Sequence, residues 1–276
     1  MRLDKFKIKK ILLISLTNIG DVVLTFPVMD ILKRDFPDAK FSIVVGPKAE
    51  SLLKNNPHLD NLYLFNKHQS GFKMLNWIWQ LRKERFDMVI DLRNTAIPFL
   101  LGAKHRTPLV KRKARNVHMK EKHLGRLKTV YDYKEKEVKS CILFVGEKDK
   151  QYVKELIYKN IGDQKFIIIA PGAADFAKRW PAESFVCAGD VLAQKVKVVL
   201  IGGNQDREVA DQVTSLMRAK VINLCGQTNL VQSAELIKHS QFVLTNDSAP
   251  MHLASYLNIP TLVVFGPTSP QQYGPW

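Results

Sequence analysis

Residues 11–27 read ILLISLTNIGDVVLTFP. An almost unbroken apolar run of strand length enters a turn, Thr17-Asn18-Ile19-Gly20-Asp21, and an amphipathic helical pattern then runs from Asp21 to about residue 34. A strand that is apolar at nearly every position is buried on both faces, as in a parallel sheet covered by helices. Strand, glycine turn and helix in that order form the first half of a βαβ unit. Further apolar runs at 41–45, 62–65 and 88–92 alternate with helical patterns at 47–55 and 72–85. The rhythm repeats with strands at 166–170, 196–201, 221–224, 242–245 and 261–265, and helices at 182–194, 207–218, 230–238 and 249–257. A polar stretch at 147–164 separates the two series. The sequence therefore predicts an α/β protein of two Rossmann-like domains, residues 1–150 and 151–276, with parallel sheets facing each other across a cleft. Ligands of such sheets sit beyond the carboxyl ends of the strands, so chemistry is expected in the βα loops.

Composition narrows the class. The chain has 276 residues, 46% hydrophobic and 25% charged, an ordinary globular balance that excludes collagen-like, disordered and low-complexity readings. No apolar run approaches the ~18 residues of a membrane helix. The basic start followed by ILLISL imitates a signal peptide, but its apolar stretch is short and lacks a small-residue cleavage site, so a cytoplasmic location is expected. Three widely spaced cysteines, Cys141, Cys187 and Cys225, form no CxxC pair and fit a reducing compartment. Charge is one-sided: residues 1–145 hold 29 Lys and Arg against 14 Asp and Glu, whereas residues 146–276 hold 13 against 12. The basic half is suited to an anionic partner, whether nucleic acid, an acidic membrane surface or a phosphorylated glycolipid.

Four βα loops carry candidate chemistry. In the first, Asp21 stands near a helix start, either as an N-cap or as a general base. In the second, Pro171-Gly172-Ala173-Ala174 leads to Lys178-Arg179-Trp180-Pro181, where Lys178 is either a surface cation or a phosphate ligand. In the third, Gly202 and Gly203 precede Asp206, an acid placed to meet ribose hydroxyls, although the full GxGxxG fingerprint is absent. In the fourth, Thr245-Asn246-Asp247-Ser248-Ala249-Pro250-Met251-His252 opens a helix and exposes amides suited to an anion. Ser248 and His252 are four residues apart, a spacing that lets both meet one ligand. The chain contains no Asp-x-Asp pair and no His/Cys cluster with metal spacing, so no metal is expected and a bound diphosphate would be neutralised by lysine and helix amides.

Together these stretches resemble glycosyltransferase family 9, the ADP-heptose:lipopolysaccharide heptosyltransferases. The matching segments are residues 14–27 with the core GDVVLTFP, residues 171–181 (PGAADFAKRWP), residues 200–208, and residues 247–270 (DSAPMHLASYLNIPTLVVFGPTSP), in the family's order. The resemblance implies a GT-B fold with an N-terminal acceptor domain, a C-terminal nucleotide-sugar domain and no cofactor beyond the donor substrate, ADP-heptose. It implies Asp21 as catalytic base in an inverting transfer and Lys178 on the donor diphosphate. On the donor side it implies Gly20, Gly172, Ala173 and Ala174 through their backbone, Asp206 or nearby Glu208 at the ribose, Thr228 beside the adenine, and Asp247, Ser248, Ala249 and His252 under the diphosphate. Relatives continue past Trp276 for several elements, so the sequence is expected to be either a fragment or a C-terminally shortened member.

The acceptor is expected to be the anionic inner core of lipopolysaccharide at the inner membrane surface. Residues 104–128 (KHRTPLVKRKARNVHMKEKHLGRLK) hold ten Lys and Arg and one acid, Glu121. They read as a basic loop, with Lys111, Arg112, Lys113 and Arg115 as acceptor ligands beside Thr17, Arg93 and Asn94. Three other readings compete: a transferase for another sugar, a 2-epimerase, and an inactive glycan or nucleic-acid binder. An epimerase has no use for a basic acceptor half. Nucleic-acid binding lacks a helix-turn-helix, an RNP motif or basic residues interleaved with stacking aromatics.

Overall fold

A computed structural model describes residues 4–66, 71–109, 117–134 and 140–276. The chain divides into two compact units, Met1–Phe144 and Val145–Trp276.

The first unit contains strands β1 (Lys10–Ile14), β2 (Lys40–Val45), β3 (Asn61–Leu64), β4 (Met88–Asp91) and β5 (His105–Arg106), all paired in parallel in the order β3-β2-β1-β4-β5. Its helices are α1 (Ile19–Val23), α2 (Phe26–Asp35), α3 (Glu50–Leu53), α4 (Gly71–Lys83), α5 (Ile97–Leu101) and α6 (Met119–Lys128). Leu12 and Ile14 face one side with Val44 and Val89, where Leu81 of α4 and Ile97 and Leu101 of α5 complete a core cluster. Ile11 and Leu13, on the opposite side, are equally buried. Both faces of β1 are thus covered, as its unbroken apolar sequence requires.

Two sequence readings change here. The pattern over 21–34 is two helices, because the chain breaks at Leu24-Thr25. Pro27 occupies the first turn of α2, and Thr25 turns its hydroxyl onto the Val22 carbonyl and Ser15. The stretch 104–128, read as a basic loop, contains β5 and the helix α6. That helix hides few apolar side chains, burying only His123 and Leu127, so its sequence lacks a clear amphipathic period. Lys111, Arg112, Lys113 and Arg115 lie outside the described residues.

The second unit contains β6 (Phe166–Ala170), β7 (Lys197–Leu200), β8 (Ile222–Asn223), β9 (Val243–Asn246) and β10 (Thr261–Val264), parallel in the order β10-β9-β6-β7-β8. Its helices are α7 (Glu147–Asn160), α8 (Ala182–Leu192), α9 (Arg207–Leu216), α10 (Leu230–His239), α11 (Ala249–Tyr256) and α12 (Pro270–Tyr273). Ile167, Ile169, Val198, Leu200 and Leu244 of the sheet meet Phe185 of α8 and Ala210 and Val213 of α9. Both sheets are doubly wound. Successive connections leave the central strand in opposite directions, which opens a switch point between β1 and β4 in one unit and between β6 and β9 in the other.

Candidate functional site

In the first unit, the switch point places the loop after β1 beside the loop after β4, because the two strands pair directly. Asp21 is the third residue of α1, whose N-cap is Asn18, so it is a first-turn carboxylate and not the cap. The Asn18 side-chain amide donates to Asp21 Oδ2 at 3.1 Å. Asp21 is half-buried, as are Thr17 and Gly20. Gly46, after β2, lies against Thr17, and a Cβ there would stand 2.8 Å from the Thr17 Cα. That position must be glycine for the first loop to keep its course.

On the β4 side, buried Asp91 accepts the backbone N–H of Arg93 at 2.8 Å and the hydroxyl of Thr95 at 2.9 Å. Arg126 of α6 donates to the Asp91 carbonyl at 3.0 Å and to the Pro108 carbonyl at 2.9 Å. The turn carrying Arg93 and Asn94 is therefore fixed, and Asn94 takes a left-handed φ of 60°. The Arg93 guanidinium lies 4.2 Å from the Phe65 ring centroid. Its partial burial pulls its pKa below the usual arginine value, against the opposing charge of Asp91.

The second unit brings more of the candidate residues together. Lys178 Nζ lies 2.6 Å from Oδ2 of buried Asp247, joining the loop after β6 to the loop after β9. Asn246, the last residue of β9 and fully buried, braces the same loop twice. Its side-chain nitrogen donates to the Pro171 carbonyl at 2.7 Å, and its side-chain oxygen accepts the Trp180 N–H at 3.0 Å. Arg179 donates to the Ala173 carbonyl at 2.8 Å, and Asp175 caps the Ala177 amide at 3.0 Å. Gly266, after β10, supports the loop from beneath, where a Cβ would stand 2.4 Å from the Ala177 carbonyl oxygen. The segment 171–180 is thus a fixed arch that carries Lys178 near its end. Sequence reading quoted Asn246, Arg179 and Gly266 within its motifs but gave them no role; for Asn246 the available signal was a polar residue closing a fully buried strand.

Ser248 is the N-cap of α11 but makes no capping bond with its side chain, which leaves first-turn amides of the helix to a ligand's oxygens. Its hydroxyl lies 3.3 Å from that of Thr245. Ala249 is half-buried at the helix start. His252 is buried, with its ring centroid 6.2 Å from that of Trp276. Gly172 and Ala173 are buried, and Ala174 is exposed.

Asp206, also buried, packs against Gly172 and Gly202, and its carboxylate accepts the Gly203 N–H at 2.8 Å. It therefore shapes the third loop, while Glu208 lies exposed in the first turn of α9. Thr228 precedes the N-cap Asn229 of α10 and bonds Ser233 at 2.8 Å. Near Asp206, burial pushes the Cys225 thiol up to about 12, with the Asp206 and Asp211 charges adding to the shift. Cys225 is an inert thiol of the core. Among the described residues, no group of three or more His, Cys, Asp or Glu is arranged to hold a metal ion, and no helix is long and apolar enough to cross a membrane.

Comparison with known proteins gives a consistent picture. The family model for glycosyltransferase family 9 (heptosyltransferase) matches residues 74–276. The chain is 26% identical over 285 residues to lipopolysaccharide heptosyltransferase 3 of Escherichia coli, covering 93% of this chain and 83% of that protein. It is 27% identical over 273 residues to lipooligosaccharide heptosyltransferase 2 of Campylobacter jejuni, covering 94% and 82%. The structure of a family 9 glycosyl transferase from Veillonella parvula superposes with a TM-score of 0.83 at 24% identity, covering all of this chain and 86% of the other. E. coli ADP-heptose lps heptosyltransferase II gives a TM-score of 0.77 at 25% identity, covering 96% and 87%. The architecture is accordingly that of the GT-B class.

Proposed function

The chain belongs to glycosyltransferase family 9 and is a glycosyltransferase, and we propose that it moves a heptose from ADP-heptose to an anionic inner-core sugar of lipopolysaccharide. The observation that carries this reading is the arch-borne Lys178, paired with Asp247 beside the uncapped start of α11. A nucleoside diphosphate-sugar puts two negative charges where a lysine and helix amides converge, and departure of the diphosphate concentrates charge on its oxygens. Groups already oriented toward that charge stabilise the transition state more than the ground state. Lys178, held by Asp247, supplies a positioned cation and α11 the partial positive charge of its first-turn amides.

The first unit supplies the base. Asp21 takes the proton of an acceptor hydroxyl as that oxygen attacks the anomeric carbon. The C–O bond to the diphosphate breaks as the new glycosidic bond forms on the opposite face, and the configuration inverts. The hydrogen bond from the Asn18 side-chain amide helps to orient the carboxylate. Thr17, Arg93 and Asn94 belong to the acceptor side at the β1/β4 switch point, with the basic residues 111–113 and 115 from the same unit. The excess of 29 Lys and Arg over 14 Asp and Glu in residues 1–145 matches an acceptor rich in carboxylates and phosphates, presented at the cytoplasmic face of the inner membrane. On the donor side, Gly20, Gly172, Ala173 and Ala174 offer backbone, Ser248 and Ala249 amides, and Thr228 and His252 the outer contacts. Glu208 is the stronger candidate for the ribose, because Asp206 is committed to its own loop.

Calorimetric titration with ADP, UDP and GDP, without metal and then with magnesium, tests the donor half. The expected result is ADP-selective binding that magnesium does not improve; preference for another nucleotide would keep the fold and change the sugar. Asp21→Asn tests the other half: donor binding is expected to persist while transfer falls about 10²–10⁴-fold, the contribution of a general base. Unchanged turnover would overturn the role of Asp21.

A further inference from the structure

Helix α4 has two apolar faces, and only one of them is used by the fold. Met74, Trp77, Ile78 and Leu81 recur at helical spacing and pack onto the β1/β4 core. On another side, Phe72, Leu75 and Trp79 form a second row at i, i+3 and i+7, and they are 84%, 65% and 58% exposed. Side chains so spaced share one helix face over about 10 Å. Arg82 donates to the Leu100 carbonyl at 2.7 Å and so holds the end of α5 beside α4; Phe99 and Leu100 there are 42% and 45% exposed. Two aromatic and one aliphatic side chain in a row, with two more on the adjoining helix, are more than the scattered apolar exposure of an ordinary surface.

The charges that α4 itself carries are all of one sign. α4 carries Lys73, Arg82 and Lys83 and no acid, and the sequence from Leu92 to Lys120 contains no Asp or Glu. Lys83 Nζ lies 3.5 Å from the Trp79 ring centroid, and the Arg106 guanidinium lies 4.8 Å from that of Phe99. Trp79 and Phe99 are thus each paired with a cation. Tryptophan and phenylalanine partition to the boundary between headgroups and acyl chains, while lysine and arginine at the same depth reach anionic headgroups. A protein partner would need a hydrophobic socket with an acidic rim; the surface of an anionic bilayer offers both features everywhere.

We propose that the exposed face of α4 and α5 docks this chain on the anionic surface of a phospholipid bilayer, with Phe72, Leu75 and Trp79 inserted at the headgroup boundary and Lys73, Lys83 and Arg106 against lipid phosphates. The inference rests on the proposed lipid-linked acceptor only for its purpose. Docking is read with neither donor nor acceptor present, so its failure and that of the transferase reading are distinguishable.

The test is co-sedimentation of the whole chain with sucrose-loaded vesicles, one set of phosphatidylcholine alone and one with roughly a third phosphatidylglycerol, a composition that gives a strongly anionic surface. The expected result is binding to the anionic vesicles that falls about tenfold in Leu75→Glu/Trp79→Glu, together with quenching of tryptophan emission by brominated lipids that weakens in Trp79→Phe. Lys73→Gln/Lys83→Gln, which leaves every apolar contact of the helix in place, is expected to weaken binding several-fold, so a folding defect in the glutamate variant does not decide the outcome. Three results would overturn the proposal: no binding by the parent chain, equal binding by the charge variant and parent, or light scattering that shows a dimer dissolved by Trp79→Ser.

Discussion

Lys178 and Asp247 form an ion pair with Nζ and Oδ2 2.6 Å apart, drawn from loops after two neighbouring strands, and the carboxylate is buried while the lysine remains partly open. A free lysine on a four-carbon stem would sample many rotamers, and fixing it on substrate would cost entropy in each catalytic cycle. Asp247 meets part of that cost in the folded state. Removing the lysine and removing its anchor should therefore have different kinetic signatures. Lys178→Ala is expected to lower kcat/KM for the nucleotide-sugar by about 10²–10³-fold, the range for losing one oriented transition-state donor. Asp247→Asn keeps the lysine charge and loosens its position, with an expected loss of roughly tenfold. Steady-state kinetics of ADP release compare the two, and an Asp247→Asn loss equal to that of Lys178→Ala would give the carboxylate a direct role on substrate.

Asn246 holds the arch that presents Lys178, using both ends of its side-chain amide. In Asn246→Ala the Pro171 carbonyl and the Trp180 N–H each lose a buried partner, and an unsatisfied buried group costs about 1–3 kcal/mol. A fall in Tm of several degrees is expected, since each kcal/mol moves Tm by about 2–4 °C in chains of this size. Donor affinity should fall as well, because the arch no longer has a fixed base. Calorimetry gives both quantities, and a loss of donor affinity with unchanged Tm would mean that Asn246 acts on the ligand and not on the arch.

The sequence made the strand–turn–helix alternation and all four chemical loops legible, because parallel strands buried on both faces leave unbroken apolar runs and glycines mark their exits. Asp21, Lys178 and Asp247 stood out within those loops, but the roles proposed for them came from the family resemblance, since on spacing alone Asp21 reads equally as an N-cap and Lys178 as a surface cation. The short strand β5 and the helix α6 were hidden, since two residues of strand carry no periodicity and α6 buries a histidine where an apolar side chain would have announced it. Asn246 and Gly266 escaped for another reason. Their importance lies in contacts with residues 66 and 89 positions away, which no local pattern encodes.

Gly266 offers a steric test of the same arch. A methyl at this position would stand 2.4 Å from the Ala177 carbonyl oxygen, well inside any real contact, so either Gly266 or the Ala177–Lys178 turn must shift. Overpacking of this kind costs about 1–3 kcal/mol where the backbone has to yield. Gly266→Ala is expected to weaken nucleotide binding while leaving the first unit unaltered. Calorimetric titration with ADP checks the prediction, and unchanged affinity would mean that the turn relaxes without moving the lysine.

His123 predicts how stability depends on pH. It is 2% exposed on α6, and its Nε2 atom has no hydrogen-bond partner among the described residues. Burial, reinforced by the charges of Lys122, His118 and Arg126, lowers its pKa from the usual 6.5 to about 4. The folded chain therefore keeps the imidazole neutral over an interval in which the unfolded chain protonates it. Where the unfolded state binds more protons, stability rises with pH. This contribution is complete above the unfolded pKa near 6.5 and is lost as the pH falls through about 4, with a full span on the order of 3 kcal/mol. His123→Leu replaces the ring with an apolar side chain that has no proton to gain. Urea melts of the parent chain and His123→Leu at pH 7.5, 6, 5 and 4.5, each within about a unit or two of these pKa values, should give stability curves that diverge in favour of the variant as the pH falls. Parallel curves would mean that the folded chain admits the proton, through water or a movement of α6, and that burial does not keep the ring neutral.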